Sequence, residues 1–364
     1  MNVKSITGLI EEVAPLSLQE NYDNCGLLIG DNNMEVTGVL LTIDVTEAVI
    51  EEAIAGNKNL IISHHPLIFN RLKSITKKNE TERCIANAIK NNIAIYAAHT
   101  NIDNVLEGVS GKMADKIGLI NKQILVPKSD MLVKLVTYVP DLHSYRVRKA
   151  LFDAGAGHIG NYDECSFNIQ GNGTFRANQV AQPFVGAKGE FHTEKETKIE
   201  VIVPSFNIGR VVDALIAAHP YEEPAYDIYP LNNKLNRVGL GVIGELPEPE
   251  DGKLFLQRLK SVFKTGVIRY TNLSDKKISK VALCGGAGSS LLQEAIAVNA
   301  DIFVSGDFKY HEFFETNGKI TIADIGHFES EQFTKDIFYE IITKKMPTFA
   351  VQISDIKTNP INYL

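Results

Sequence analysis

The 364-residue chain contains no tryptophan and only four cysteines, Cys25, Cys84, Cys165 and Cys284. None falls in a C-x-x-C pair, which argues against a cysteine zinc site and a disulfide framework and suits a reducing compartment. No apolar run approaches the roughly 20 residues that span a bilayer, so no membrane partner is expected. The opening segment MNVKSITGLIEEVAPL carries Glu11 and Glu12 where a secretory signal needs its apolar centre. A cytoplasmic protein is expected. Long Lys/Arg blocks are also missing, and with a net charge of -7 nucleic acid is disfavoured as the main partner. What is present is ordinary globular composition, 44% hydrophobic and 22% charged, in a chain long enough for two cores.

The first 120 or so residues alternate strand and helix patterns. VTGVLLTIDV (36–45) is a β-rich run, and TEAVIEEAIAGNKN reads as a helix with Thr46 as N-cap and Gly56 near its end. NLIIS is a short buried strand, and TERCIANAIKNN a helix with Ile85, Ala88 and Ile89 at helical spacing. IAIYAAHT is a strand and NVLEGVSGKMADKIG a helix. The last 120 residues show the same alternation. There the strands KISKVALC, ADIFVSG, KITIAD and TFAVQIS are interleaved with the helices SSLLQEAIAVNA, HEFFETNG and ESEQFTKDIFYEIITKK. Such a pattern predicts a mostly parallel sheet with both faces covered.

The middle differs. Residues 139–163 align without gaps to 203–227, with nine of 25 positions identical, including Val139/Val203, Pro140/Pro204, Arg146/Arg210 and Tyr162/Tyr226. Each copy has a strand, a helix and a strand, so two βαβ units in tandem predict a ferredoxin-like module. The expected organisation is a two-part α/β core, 1–128 and 236–364, interrupted by an inserted α+β domain, 129–235.

Three strands end in metal-ligand chemistry. NLIIS runs into His64 and His65, with Pro66 stopping regular pairing. IAIYAA runs into His99 and Asp103. KITIAD runs towards His327, with Glu331 four residues on and one helical turn away on the same face. The carboxyl ends of strands are where open α/β sheets bind ligands, so these residues are expected at one edge of the sheet. Each alone has a plain reading as a capping or surface residue, and all must hold together for the site to vanish. One catalytic zinc needs three protein ligands. His64, His65, Asp103, His327 and Glu331 are five, which divide between two bridged ions and give His64 and His65 one ion each. Imidazole plus carboxylate suits Zn, Mn, Fe or Co.

The same residues carry a resemblance. NYDNCGLLIG, ISHHPLIF, AAHTNIDN, LCGGAGS, FVSGDFKYHEF and IGHFESE, in this order, resemble the motifs of the NIF-three-like family, whose bacterial members are often labelled GTP cyclohydrolase I type 2 homologues. The resemblance covers both outer segments. The family's usual Trp in the first motif is here Tyr22. The central insertion is similar to that of longer members, which carry a PII/CutA-like module. The resemblance implies metal ligands at His64, His65, Asp103, His327 and Glu331, two divalent ions per subunit with zinc first, and a homohexameric ring. It implies GTP as substrate, with a bridging hydroxide attacking C8 of the guanine ring and formate leaving. A metal-dependent phosphoesterase and a non-enzymatic metal-binding scaffold or sensor stand beside that reading.

Three further features are open. His99 could orient a ligand, move protons, or simply pack. Asp307 and His311, four apart in SGDFKYHEF, suit an acid/base pair beside the metals, or a capping Asp with a surface His. Gly285–Gly288 sit between strand and helix, where backbone N–H groups can meet a phosphate or only make a tight turn. HPYEEP (219–224), with His219, Glu222 and Glu223, reads as a structural loop.

Overall fold

Three four-residue runs, Val39–Thr42, Leu60–Ser63 and Ala94–Ala97, are buried along their whole length. A strand covered on one face alternates, so these runs belong inside a sheet packed on both faces. In the computed structural model, which describes Met1–Leu364, they form the centre of a five-stranded sheet. Val39–Thr42 pairs in parallel with Leu60–Ser63, and Leu60–Ser63 in parallel with Ala94–Ala97. Gly26–Ile29 adds an antiparallel edge beyond Ala94–Ala97. The other edge comes from the far end of the chain: Val351–Ile353 pairs in parallel with Val39–Thr42.

The covering helices follow from local chemistry. Glu47–Ala55 starts where the Thr46 side chain accepts from Val49 N, and it ends at Gly56. Glu80–Lys90 buries Cys84, Ile85 and Ala88, which pack with Val49, Ile50 and Ala53 over Leu40, Ile61 and Ile95. Ile89, expected on that face, is 60% exposed. The helix expected over 104–118 is shorter, Val109–Lys116. Its first residues are taken by other partners: Val105 bridges Val238, and Leu106 N donates to the Arg237 carbonyl.

A second sheet has six strands in the order Arg269–Tyr270, Thr321–Asp324, Ile302–Gly306, Ile278–Ala287, Gly239–Glu250 and Ile120–Pro127. Its centre is parallel, with antiparallel neighbours at Arg269–Tyr270 and Gly239–Glu250. The strand ends expected on one sheet edge therefore belong to two sheets. Leu60–Ser63 and Ala94–Ala97 lie in the first, Thr321–Asp324 in the second. The helix expected over 329–345 is broken into His327–Glu331 and Thr334–Lys345. Hydroxyls compete with the helical ladder there: Ser330 Oγ donates to the His327 carbonyl and Thr334 Oγ1 to the Glu331 carbonyl, both at 2.7 Å.

Contacts divide the chain into two compact units, Met1–Val126 with Arg237–Leu364, and Pro127–Asn236. The second has the element order β-α-β-β-α-β. Its strands are Leu132–Pro140, Phe167–Arg176, Phe191–Pro204 and Tyr226–Leu231, and its helices Ser144–Asp153 and Ile208–Ala218. All three strand pairings are antiparallel, in the order second, third, first, fourth, the ferredoxin-like arrangement. Equivalent positions of the repeat share one core: Val139 and Val203, Val147 and Val211, Leu151 and Leu215 are all fully buried. No helix of the chain is long and apolar enough to cross a membrane.

Candidate metal centre

His64 and His65 extend the first sheet past its last regular pairing. His64 N donates to the Thr42 carbonyl at 3.2 Å and His65 N to the Ile43 carbonyl at 2.9 Å. The chain turns at Pro66, and the two rings lie 4.9 Å apart, inclined at 40°. Ala94–Ala97 delivers His99, followed at once by the one-turn helix Thr100–Asp103. The His99 ring stands edge-on to both, at 5.1 Å from His64 and 5.3 Å from His65. From the second sheet, helix His327–Glu331 begins at His327 and places Glu331 one turn on. The His327 ring lies 5.4 Å from that of His65.

Each imidazole is held by its Nδ1. His64 donates to the Ala98 carbonyl at 3.0 Å, His65 to Asp44 at 2.7 Å, His99 to Asp23 at 2.9 Å, and His327 to Asp307 at 2.7 Å. Acceptors of that kind fix the proton on Nδ1 and leave a lone pair on Nε2, the arrangement that metal-binding histidines use. The Nε2 atoms of His65 and His327 meet one oxygen, Glu331 Oε2, at 3.0 and 3.1 Å. His64 Nε2 lies 3.6 Å from Glu331 Oε1 and 3.8 Å from Asp103 Oδ1. Lone pairs facing a carboxylate repel unless a proton or a cation lies between them. His64 Nε2, Asp103 Oδ1 and Glu331 Oε2 are also buried without a hydrogen-bond partner. Two groups of donor atoms, His64/His65/His99 and His65/His327/Glu331, converge within 4.8 Å. This is a buried His/Glu cluster that can hold a metal ion.

Without a metal, protons take the strain. Burial pushes the His65 imidazole down, but the Asp44 and Glu331 carboxylates beside it outweigh that and hold it up at about 10. Burial is likewise outweighed at His327 by Glu331 and Asp307, which hold it at about 9. His64, fully buried, is lowered by desolvation. Burial alone would raise Glu331, yet its three imidazoles keep it well below the usual carboxylate range. Asp103 is raised far above that range, by burial first and the charge of Glu331 next. Cys284 stays a thiol: burial, then Asp103 and Glu331, push it to about 12.

The structure thus gathers His64, His65, His99, Asp103, His327 and Glu331, and it gives Asp307 a partner in His327 rather than in His311. Asp307 adopts a left-handed backbone, φ 59°, so the chain is not yet helical there and the one-turn geometry of an i,i+4 pair does not apply. Its carboxylate instead orients His327. His311 is exposed and packs edge-on against Tyr310 at 5.2 Å. The glycine turn is not an anion cradle. The N–H groups of Gly285, Gly286 and Gly288 already donate to Ser110, Ser330 and Ser305. Gly286, at φ 63°, is there because a Cβ would come within 2.3 Å of Glu331 Oε1. Two orienting carboxylates, Asp23 and Asp44, have no signal of their own spacing. Asp44 does follow the strand Val39–Thr42, the position that singles out the histidines.

Asp23 yields a prediction. Its side chain is fully buried and accepts from His99 Nδ1, Thr100 N at 2.9 Å, Thr100 Oγ1, and Cys25 Sγ at 3.1 Å. Burial raises such a carboxyl, but these hydrogen bonds win and hold it below its usual range. Asp23→Asn keeps the shape and loses the charge, so a cost of about 3 kcal/mol is expected in urea melts at neutral pH. A depressed folded pKa means the stabilisation is present above the unfolded value. The difference between wild type and variant therefore shrinks as pH falls below about 4. Equal midpoints at neutral pH would refute the role.

Comparisons with known proteins show the family and the fold. A family model described as Duf34/NIF3 (NGG1p interacting factor 3) matches residues 1–360. A protein of Halalkalibacterium halodurans named GTP cyclohydrolase 1 type 2 homolog is 40% identical over 100% of this chain and 99% of its own length. One of the same name from Bacillus subtilis is 36% identical over 100% and 99%. The solved structure of a Bacillus cereus protein related to NIF3 superposes with a TM-score of 0.89 at 38% identity, covering 100% of this chain and 99% of its own. Matched along nearly its whole length by the family model and by full-length relatives, the chain belongs to the Duf34/NIF3 family.

Proposed function

We propose that the cluster holds two divalent metal ions and that the chain is a metal-dependent hydrolase acting on GTP. One observation carries this: four imidazoles commit Nδ1 to an acceptor, and three of them, His64, His65 and His327, turn Nε2 on Glu331, with Asp103 beside His64 and His99 grouped with His64 and His65. Zinc suits these donors best, with Mn, Fe and Co as the other candidates. Ions held there would supply an acidified water and stabilise negative charge on the substrate. In this reading His64, His65, His99, Asp103, His327 and Glu331 bind the ions. Asp23, Asp44 and Asp307 position three of the rings. His311 has no part.

GTP enters through the name of the relatives, and the rim of the site suits it. Phe69, 47% exposed, stands edge-on to His99 at 6.4 Å. Tyr22, 67% exposed, has its hydroxyl raised by burial first and then by the charges of Glu20, Asp23 and Asp103. The exposed segment after His65 carries Arg71, Lys73 and Lys77. A flat ring beside the metal pair suits a planar base, and exposed cations on the segment that follows His65 suit its phosphates, with hydrolysis at C8 and loss of formate. The working form in this reading is a homohexameric ring in the cytoplasm, and its mass in solution checks the assembly. The ferredoxin-like topology of the insert favours a second reading, a PII/CutA-like sensor on a non-catalytic metal-binding scaffold.

The test is elemental analysis of the wild type and of His65→Ala and Asp103→Ala, with formate release from GTP followed on the same samples. About two metals per chain, lost in the variants together with formate release, is the expected result. Two metals without turnover would move the reading to another substrate, such as a phosphoester, or to the scaffold. No metal after reconstitution would end it.

A further inference from the structure

The inserted unit has both helices on one face of its sheet. Ile199, Val201 and Val203 of the long strand Phe191–Pro204 pack into that helical core, so Glu196 and Lys198 point to the opposite face. An open sheet face leaves carboxylates in water, yet Glu196 is only 8% exposed. It forms part of the wall of a cavity of about 740 Å³ that also involves Tyr138, Phe175, Phe184, Tyr221 and Glu222. That volume is within the usual range for small-molecule sites.

The walls are aromatic. The ring of Tyr221 lies 6.2 Å from Phe175 at 62° and 6.4 Å from Phe184 at 53°. The three rings thus form one aromatic cluster in the wall of the cavity. The Tyr221 hydroxyl donates to Glu196 Oε1 at 2.7 Å, anchoring the carboxylate beneath them. Room for it is made on the neighbouring strand, where a Cβ at Gly173 would come within 2.1 Å of Glu196 Oε2. The loop HPYEEP completes the site. His219 fixes it, donating to the Tyr138 carbonyl and accepting from Tyr221 N, both at 3.0 Å.

The charge is one-sided. Glu196, Glu222 and Glu223 line the cavity, and the lining cation, Lys198, is held by Glu200 at 2.6 Å. Aromatic faces over a buried carboxylate attract a cation that is weakly hydrated, and alkylated ammonium groups are the class that fits. An anion would meet three carboxylates. We infer that this cavity binds a small organic cation of the alkylammonium class, at a site separate from the His/Glu cluster.

Choline tests this against its uncharged isostere, 3,3-dimethylbutan-1-ol, titrated calorimetrically into the full-length protein. Choline is expected to bind roughly tenfold or more tightly than the alcohol, the difference being the cation's own attraction to rings and carboxylate. Glu196→Gln and Phe184→Ala should each weaken choline by roughly tenfold and leave metal content and circular dichroism unchanged. Phe184 is half-exposed, so its variant keeps the test alive if Glu196→Gln does not fold. Equal affinity for the two ligands would make this an apolar cavity only. No choline binding at millimolar concentration, or binding indifferent to both substitutions, would equally overturn the inference.

Discussion

Glu331→Gln empties the cluster: metal affinity falls by on the order of a hundredfold or more, and purified protein carries little metal. Losing a partner that merely orients a ligand already costs about 10–100-fold. Glu331 faces three imidazoles directly, His64 at 3.6 Å, His65 at 3.0 Å and His327 at 3.1 Å. The substitution removes the negative charge that a cation between them needs. It also supplies an amide N–H that can donate to a bare Nε2, so the metal-free state is relieved while the loaded one is weakened. Equilibrium dialysis with zinc and with manganese, read by elemental analysis, measures the first effect. Thermal unfolding in chelator, with Glu331→Gln at least as stable as wild type at alkaline pH, measures the second. A variant that keeps its full metal complement would remove Glu331 from the ligand set.

The metal-free protein should lose on the order of 4 kcal/mol of stability as pH rises from about 6.5 to about 10. The His65 and His327 folded values, about 10 and about 9, lie above the unfolded value near 6.5. The folded state therefore binds more protons across that window. Its extra stability is complete below about 6.5 and is lost as pH climbs through the folded values. Both rings draw on the same Glu331 oxygen, so their contributions do not add. The His65 side chain is 26% exposed, which keeps solvent screening modest. Metal must displace these protons, so the loaded protein lacks the slope, and loading releases protons to the buffer. Urea midpoints in chelator at three pH values test the slope, and calorimetry in buffers of different ionisation enthalpy tests the release. A flat metal-free profile would show that Glu331 and the two imidazoles do not share protons.

The parts of this site that are readable in the sequence are those with a short-range signature. His327 and Glu331 are one helical turn apart, and Thr46 and Gly56 bracket a helix because caps act within three or four residues. The repeat at 139–163 and 203–227 is visible because the same core positions recur. Two of the three orienting carboxylates are not readable from spacing. Asp44 is 21 residues from His65 and Asp23 is 76 from His99, distances at which spacing carries no information. Periodicity pairs Asp307 with His311 because it assumes a helix, and a left-handed residue breaks that assumption. The single sheet edge becomes two because strand patterns show which residues pair somewhere, not with whom.

The closing strand has a consequence for how the molecule is made. Val351–Ile353 pairs with Val39–Thr42, and Thr358 donates to Asp44, the carboxylate that orients His65. At roughly 5–20 residues per second a ribosome needs on the order of tens of seconds to travel from one to the other. The sheet that carries His64 and His65 thus waits, one edge open, until residues 351–353 have been made. The inserted unit takes its whole sheet from residues between 132 and 231 and can form on the nascent chain meanwhile. A chain that lacks residues 351–358 keeps the inserted unit but loses one edge of that sheet and the hydroxyl that holds Asp44, and with it a firm grip on the ring of His65.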